Sequence, residues 1–224
     1  RGSYTTWIKS ARLVTYEDGQ FVIGVPNGYV KEWMENRMVG QLKRILGVDR
    51  SWDVVLMGAG NVGRALLAYR PFLEKGFRLV AVRVLDCSGS GTLSGVIAGM
   101  DWVAANASGP SVANLSLGAG ANASVDDATR RMIASGVATA IAAGNGNRGG
   151  RQQDACGYSP ARVAEGMTIG STTSTDAKSS WSNYGACVDF FAPGSSITSA
   201  GHTSNTSIVS MSGTSMASPH VAGV

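Results

Sequence analysis

From residue 52 to the end of the chain, short apolar, β-prone runs alternate with helical stretches and loops of small residues. Val54–Met57 is an apolar run that leads into a glycine turn. A helix is predicted to follow to about Lys75, kinked or broken at Pro71 and stopped by Gly76, and "FRLVAVRVL" then reads as a second buried strand. Further on, "SVANLSLG", "VATAIAAG", "GMTIGSTT" and "VDFFAPG" read as strands; "SVDDATRRMIASG" and the start of "SMASPHVAGV" read as helices. Strands in this order, apolar along their whole length, predict an α/β three-layer sandwich with a mostly parallel sheet covered on both faces. The loops of small residues at the strand ends are where a site belongs.

The first fifty residues read differently. "FVIGVP" is a strand after the turn signal "EDG". Val30, Trp33, Met34, Met38, Leu42 and Ile45 recur at helical spacing, as core packing requires. This predicts a small α+β segment. Residues 1–86 carry a net charge of +5 and residues 87–224 a net charge of −1. The basic excess is therefore local and reads as solvated surface, which argues against a nucleic-acid partner. Serine shifts too, from 3 before residue 87 to 23 after it, so the chain is compositionally composite. No run of about 18 apolar residues occurs, so no membrane helix is expected. No basic-then-apolar leader opens the sequence, and it lacks a starting Met.

"GTSMASPHVAGV" places Ser215 at the start of a helix, near unpaired N–H groups and the positive end of the dipole. That environment suits a developing oxyanion, although Ser and Thr also serve there as ordinary caps. This stretch resembles the catalytic-serine motif of the subtilisin family. "VRVLDCSGSGTLSGVIAGMDWV", "VANLSLG", "AIAAGNGN", "ACGYSPARVAE" and "SNYGACVDFFAPG" resemble its proteinase K–aqualysin branch, in order, over about 87–224.

The resemblance implies a nucleophile at Ser215 and a side-chain oxyanion donor at Asn145. It implies that Gly89, Ser90 and Gly91 on one edge, and Ser116, Leu117 and Gly118 on the other, pair with an extended peptide. Ala142, Ala143 and Gly144 would wall the first specificity pocket and leave room for a large apolar side chain. Cys156 and Cys187 match a disulfide of this branch. The carbonyls of Ala164 and Gly166 with the carboxylate of Asp189 match a calcium site of hard oxygen donors. The implied activity is serine endopeptidase cleavage of peptides or proteins, and the implied location of that part is extracellular.

The family's Asp and His motifs should precede "VRVLD", in the order Asp, His, Ser. Upstream of residue 87 there is no histidine. His220 lies five residues past Ser215, turned away by about 140° at 100° per residue, where the family has a buried structural histidine. His202 sits in "SAGHTSN" with no motif around it. Cys87 would be left unpaired, and the resemblance stops at Val224, early in the serine helix. The triad is thus incomplete, and the chain is expected to be inactive as written.

Two other resemblances fill the upstream part. Residues 52–82 resemble the first βαβ of the redox-sensing repressor Rex, and residues 3–47 resemble the N-terminal domain of the replication initiator DnaA. Gly58, Gly60 and Gly63 would permit a tight turn and a close pyrophosphate, with Asp86 near the spacing for a ribose contact. A dinucleotide needs a second half-site that this pattern lacks, so NAD is not expected. The expected organisation is a DnaA-like segment at 1–50, a Rossmann-type βαβ at 51–86 and a subtilisin-like body at 87–224. A nucleotide- or peptide-binding module stays open as an alternative, as does a composite chain with no selected function.

Overall fold

The computed structural model describes residues 12–17, 20–24, 52–57, 77–86, 88–201, 204 and 206–223. The chain divides into two compact units, 1–50 and 51–224. In the first, β1 (Arg12–Glu17) pairs antiparallel with β2 (Gln20–Gly24), with Glu17 opposite Gln20. Only Asp18 and Gly19 separate the strands, a favoured composition for a two-residue hairpin. The helix expected from Val30 to Ile45 lies outside the described residues.

The second unit is built on a six-stranded parallel sheet. Its strands are β3 (Trp52–Met57), β4 (Phe77–Val82), β5 (Ser111–Leu115), β7 (Val137–Ala142), β9 (Met167–Thr172) and β10 (Phe190–Pro193). They lie in the order β10-β9-β7-β5-β3-β4, and every neighbouring pair is parallel. β4 stops at Val82, three residues short of the expected apolar run. β3 and β4 lie in the same sheet as the rest of the unit. The chain runs outward from β3 to β4 and then returns past β3 to β5, so strand order reverses at β3. Such a reversal opens a crevice beyond the carboxyl ends of the strands.

Helices cover both faces. α1 (Leu93–Asn106) and α2 (Ala123–Ala134) pack together, and Met100, Val103, Val125 and Met132 are buried in one core with Val55, Leu115, Val137 and Ile141. α3 (Thr214–Ala222) packs on the opposite face, where Ala217 meets Ala140, Ile169 and Ala192. The alternation within β7 shows the layering: Ile141 enters the first core and its neighbour Ala140 the second. Alanines on the second face let α3 approach the sheet closely.

The helix ends follow from local chemistry. Thr92 caps α1 by accepting from Gly95 N–H at 3.1 Å, and Asn122 caps α2 by accepting from Val125 N–H at 3.1 Å. Gly136, at φ +96°, follows the last turn of α2, where a left-handed residue suits glycine. Two short two-stranded elements complete the described part of the unit: β6 (Ala119–Gly120) with β8 (Tyr158–Ser159), and β11 (Ile197–Ala200) with β12 (Ile208–Met211), besides a 3₁₀ turn at Ala155–Gly157.

Candidate active site

The loops after β5 and β7 meet the N-terminus of α3 at the carboxyl edge of the sheet. Gly213 caps α3, and Ser215 is its second residue, half-buried. Among the described residues, none hydrogen-bonds the Ser215 hydroxyl.

Asn145 extends from the loop after β7. Its Oδ1 accepts from Thr214 N–H at 2.8 Å and from the Thr214 hydroxyl at 2.9 Å. Thr214 Oγ1 in turn accepts from Gly144 N–H at 3.0 Å. These bonds set the orientation of the amide, with its oxygen turned to the helix. A Cβ placed on Gly213 would lie 3.5 Å from Asn145 Nδ2 and 3.6 Å from Ser215 N. The Asn145 amide nitrogen and the Ser215 amide nitrogen thus lie close together at the start of α3, with Met216 Sδ beside them.

The end of β5 is tied to the same helix. Ser116 Oγ donates to the Ser215 carbonyl at 3.1 Å, Asn114 Nδ2 donates to Ser116 Oγ at 2.9 Å, and Ser218 Oγ donates to Asn114 Oδ1 at 2.7 Å. Asn114 and Ser218 are buried, and their polar groups are satisfied by one another. The Ser116-Leu117-Gly118 edge is thereby fixed relative to Ser215. Ala142 and Ala143 are buried beside it, with Gly144 half-buried.

The loop after β4 is shaped by Asp86. Its Oδ1 accepts from Ser88 N–H at 2.8 Å, Ser88 Oγ at 2.6 Å and Ser90 N–H at 3.0 Å. Asp86 N–H also donates to the Ser90 carbonyl at 2.7 Å. The Ser88 hydroxyl, then the Ser90 and Ser88 amides, hold this exposed carboxyl below its ordinary value. Asp86, read from spacing as a ribose contact, is engaged by its own loop, and a D-x-S-x-S pattern was the available signal. Gly91 turns tightly beneath: a Cβ there would strike the Val84 carbonyl.

Gly58, Gly60, Gly63, Cys87 and His202 lie outside the described residues. His220 is exposed. Its Nδ1 lies 2.7 Å from the carbonyl of Met216 one turn back on α3. A ring held against its own helix is not presented to Ser215. Cys156 and Cys187 form a disulfide with Cα atoms 5.3 Å apart. Asp189 Oδ2 accepts from Thr168 N–H at 2.7 Å, and both Asp189 and Ala164 are exposed.

Residues 73–224 match the model of the subtilase family. The chain belongs to that family. The subtilase match begins before β4, fourteen residues earlier than the motifs alone place it. Residues 1–47 match the DnaA N-terminal domain. The chain is 59% identical over 166 residues to alkaline serine exoprotease A of Vibrio alginolyticus, covering 74% of this chain and 29% of that protein. It is 57% identical over 165 residues to an extracellular serine proteinase of Thermus sp. strain Rt41A, covering 74% of this chain and 38% of that one. It thus spans about a third of the length of these relatives. A crystal structure of a cold-adapted subtilisin-like serine proteinase superposes with a TM-score of 0.67 at 43% identity, over 79% of this chain and 74% of that one.

Proposed function

We propose that the second unit is a subtilase body that binds extended peptides beside Ser215 but lacks the base needed to cleave them. The arrangement that supports this reading is two amide nitrogens near the start of α3, beside a serine hydroxyl with no base next to it among the described residues. The two are Asn145 Nδ2 and Ser215 N, and no imidazole among the described residues reaches the Ser215 hydroxyl. The sequence offers only His202 besides His220. A serine hydroxyl without a base is a weak nucleophile at neutral pH. In subtilisin itself, losing the base costs about 10⁶ in kcat, and the oxyanion hole with binding retains about 10³–10⁴ over water.

The cleft does not need the triad. Main-chain pairing along Gly89–Gly91 and Ser116–Gly118 supplies affinity, and the pocket beside Ala142–Gly144 supplies selectivity. The preferred ligand is an extended peptide with a large apolar residue in that pocket. Calorimetry with peptides that present no bond for cleavage tests this. Weak binding that Gly118→Trp abolishes supports the reading; equal binding by the Trp variant contradicts it.

A structural calcium belongs to the same proposal. The carbonyls of Ala164 and Gly166 with the Asp189 carboxylate are hard oxygen donors of the type calcium prefers. Asp189 is exposed, with its other carboxylate oxygen bound to Thr168 N–H. The ion would stiffen the loop between β8 and β9. An extracellular setting suits the Cys156–Cys187 disulfide.

A further inference from the structure

Asn183 belongs to no helix or strand and lies in the "SNYGACVDFFAPG" segment with no role assigned to it, yet it is 2% exposed. Its Nδ2 donates to the Ala143 carbonyl at 2.9 Å, and its backbone N–H donates to the Gly144 carbonyl at 3.0 Å. Its Oδ1 accepts from Gly146 N–H and Gln153 N–H, each at 3.0 Å. Three of these four bonds bracket Asn145 on both sides in the chain.

Glycine at 144 fits this arrangement. Gly144 has φ +103°, and a Cβ there would strike Asn183 Nδ2. Its N–H goes to Thr214 and its carbonyl to Asn183, so both faces of its peptide links are fixed. Asn183 is itself held from behind. Tyr184 N–H donates to the Gln153 carbonyl at 3.0 Å, and Ala155 N–H to the Tyr184 carbonyl at 2.8 Å. The Cys156–Cys187 disulfide closes that strip one residue further on. The residue type is specific. The side chain must donate one bond and accept two from fixed backbone groups, which Asp cannot do when ionised and Ala cannot do at all.

We propose that Asn183 is the positioning residue for the turn that carries Asn145 and the pocket wall Ala142–Gly144, and that it thereby sets selectivity for a large apolar side chain in that pocket. The proposal rests on the cleft reading given above. Asn183 touches no ligand; it acts through the backbone of residues 143–146.

The test uses the full chain and two short extended peptides, identical but for a C-terminal phenylalanine amide or glycine amide seated in the pocket. The unchanged chain is expected to bind the phenylalanine peptide at least about tenfold more tightly, the scale of an apolar pocket's discrimination. Asn183→Ala and Asn183→Asp are expected to bring the ratio below roughly threefold while leaving the glycine peptide's affinity within a similar factor. Asn122→Ala, which removes the distant α2 cap, controls for general destabilisation and should keep the tenfold ratio.

Retention of the ratio in both Asn183 variants overturns this inference alone. Loss of the ratio in Asn122→Ala to the same degree also overturns it. Failure of the unchanged chain to bind either peptide overturns the cleft reading and this inference together. Hydrogen exchange on the unchanged chain keeps the test decisive if the variants do not fold. The Gly146 and Gln153 amides should exchange far more slowly than Gly149 N–H, which is bonded only to the exposed Asn147 side chain. Exchange at Gly146 as fast as at Gly149 overturns the proposal.

Discussion

Asn145 and Thr214, 69 residues apart in sequence, are joined by two hydrogen bonds to a single oxygen. Thr214 donates both its N–H and its hydroxyl to Asn145 Oδ1, at 2.8 and 2.9 Å. The side chain that would stabilise an oxyanion is thus also the clamp on the first turn of the serine helix. The orientation of the Asn145 amide and the start of α3 are one structural fact.

Replacing Thr214 with Val keeps the shape and removes the hydroxyl. Gly144 N–H then loses its acceptor and Asn145 Oδ1 one of its donors, in a place where Thr214 is 1% exposed. The expected destabilisation is about 1–3 kcal/mol. Thermal unfolding should show a lower Tm, by roughly 2–4 °C per kcal/mol for a unit of this size. An unchanged Tm would mean that the Thr214 hydroxyl is not engaged as described.

Leu115 is fully buried at the end of β5, in the core shared with α1 and α2. Leu115→Ala removes apolar contact and leaves a cavity, and a loss of about 2–5 kcal/mol is expected. Urea titration should show a lower midpoint with an unchanged slope.

Asp86 gives a pH dependence whose sign is fixed by its partners. Its folded pKa is lowered, chiefly by the Ser88 hydroxyl. Its contribution to stability is therefore present above the unfolded carboxyl value and is lost as pH falls through the folded one. An NMR titration should place the Asp86 midpoint below 3.8, and Ser88→Ala should raise it. A midpoint above 3.8 in the unchanged chain would contradict the loop geometry.

The Cys156–Cys187 bond closes a loop with a sequence separation of 31. Its removal by Cys156→Ser with Cys187→Ser should destabilise by about 3–4 kcal/mol in the chain-entropy description. Thiol counting under denaturing, non-reducing conditions should find one free sulfhydryl, that of Cys87. Three free thiols would contradict the pairing.

The strands of the parallel sheet were legible in sequence because buried parallel strands are continuous apolar runs, as in "VATAIA" and "MTIGST". α2 was legible from its amphipathic pattern and closing glycine. α1 is not legible as a helix in the sequence: Gly95, Gly99, Val96 and Ile97 are weak helix formers, and apolar residues on most sides blur its periodicity. The hairpin of β11 and β12 is short and largely exposed, with no apolar alternation to betray it. Ser215 and Asn145 were found through family motifs. The role of Asn183, inside the "SNYGACVDFFAPG" segment, is not legible there, because its side-chain partners lie 30–40 residues away along the chain. Only the fold brings them together.

Turnover of a chromogenic peptide by the full chain tests the central claim most directly, measured beside Ser215→Ala and a complete subtilase. If Ser215 has no base, as proposed, kcat should fall at least about 10⁴-fold below the complete enzyme. Turnover within roughly tenfold of the complete enzyme, abolished by Ser215→Ala and by His202→Ala, would contradict the account and assign His202 as the base.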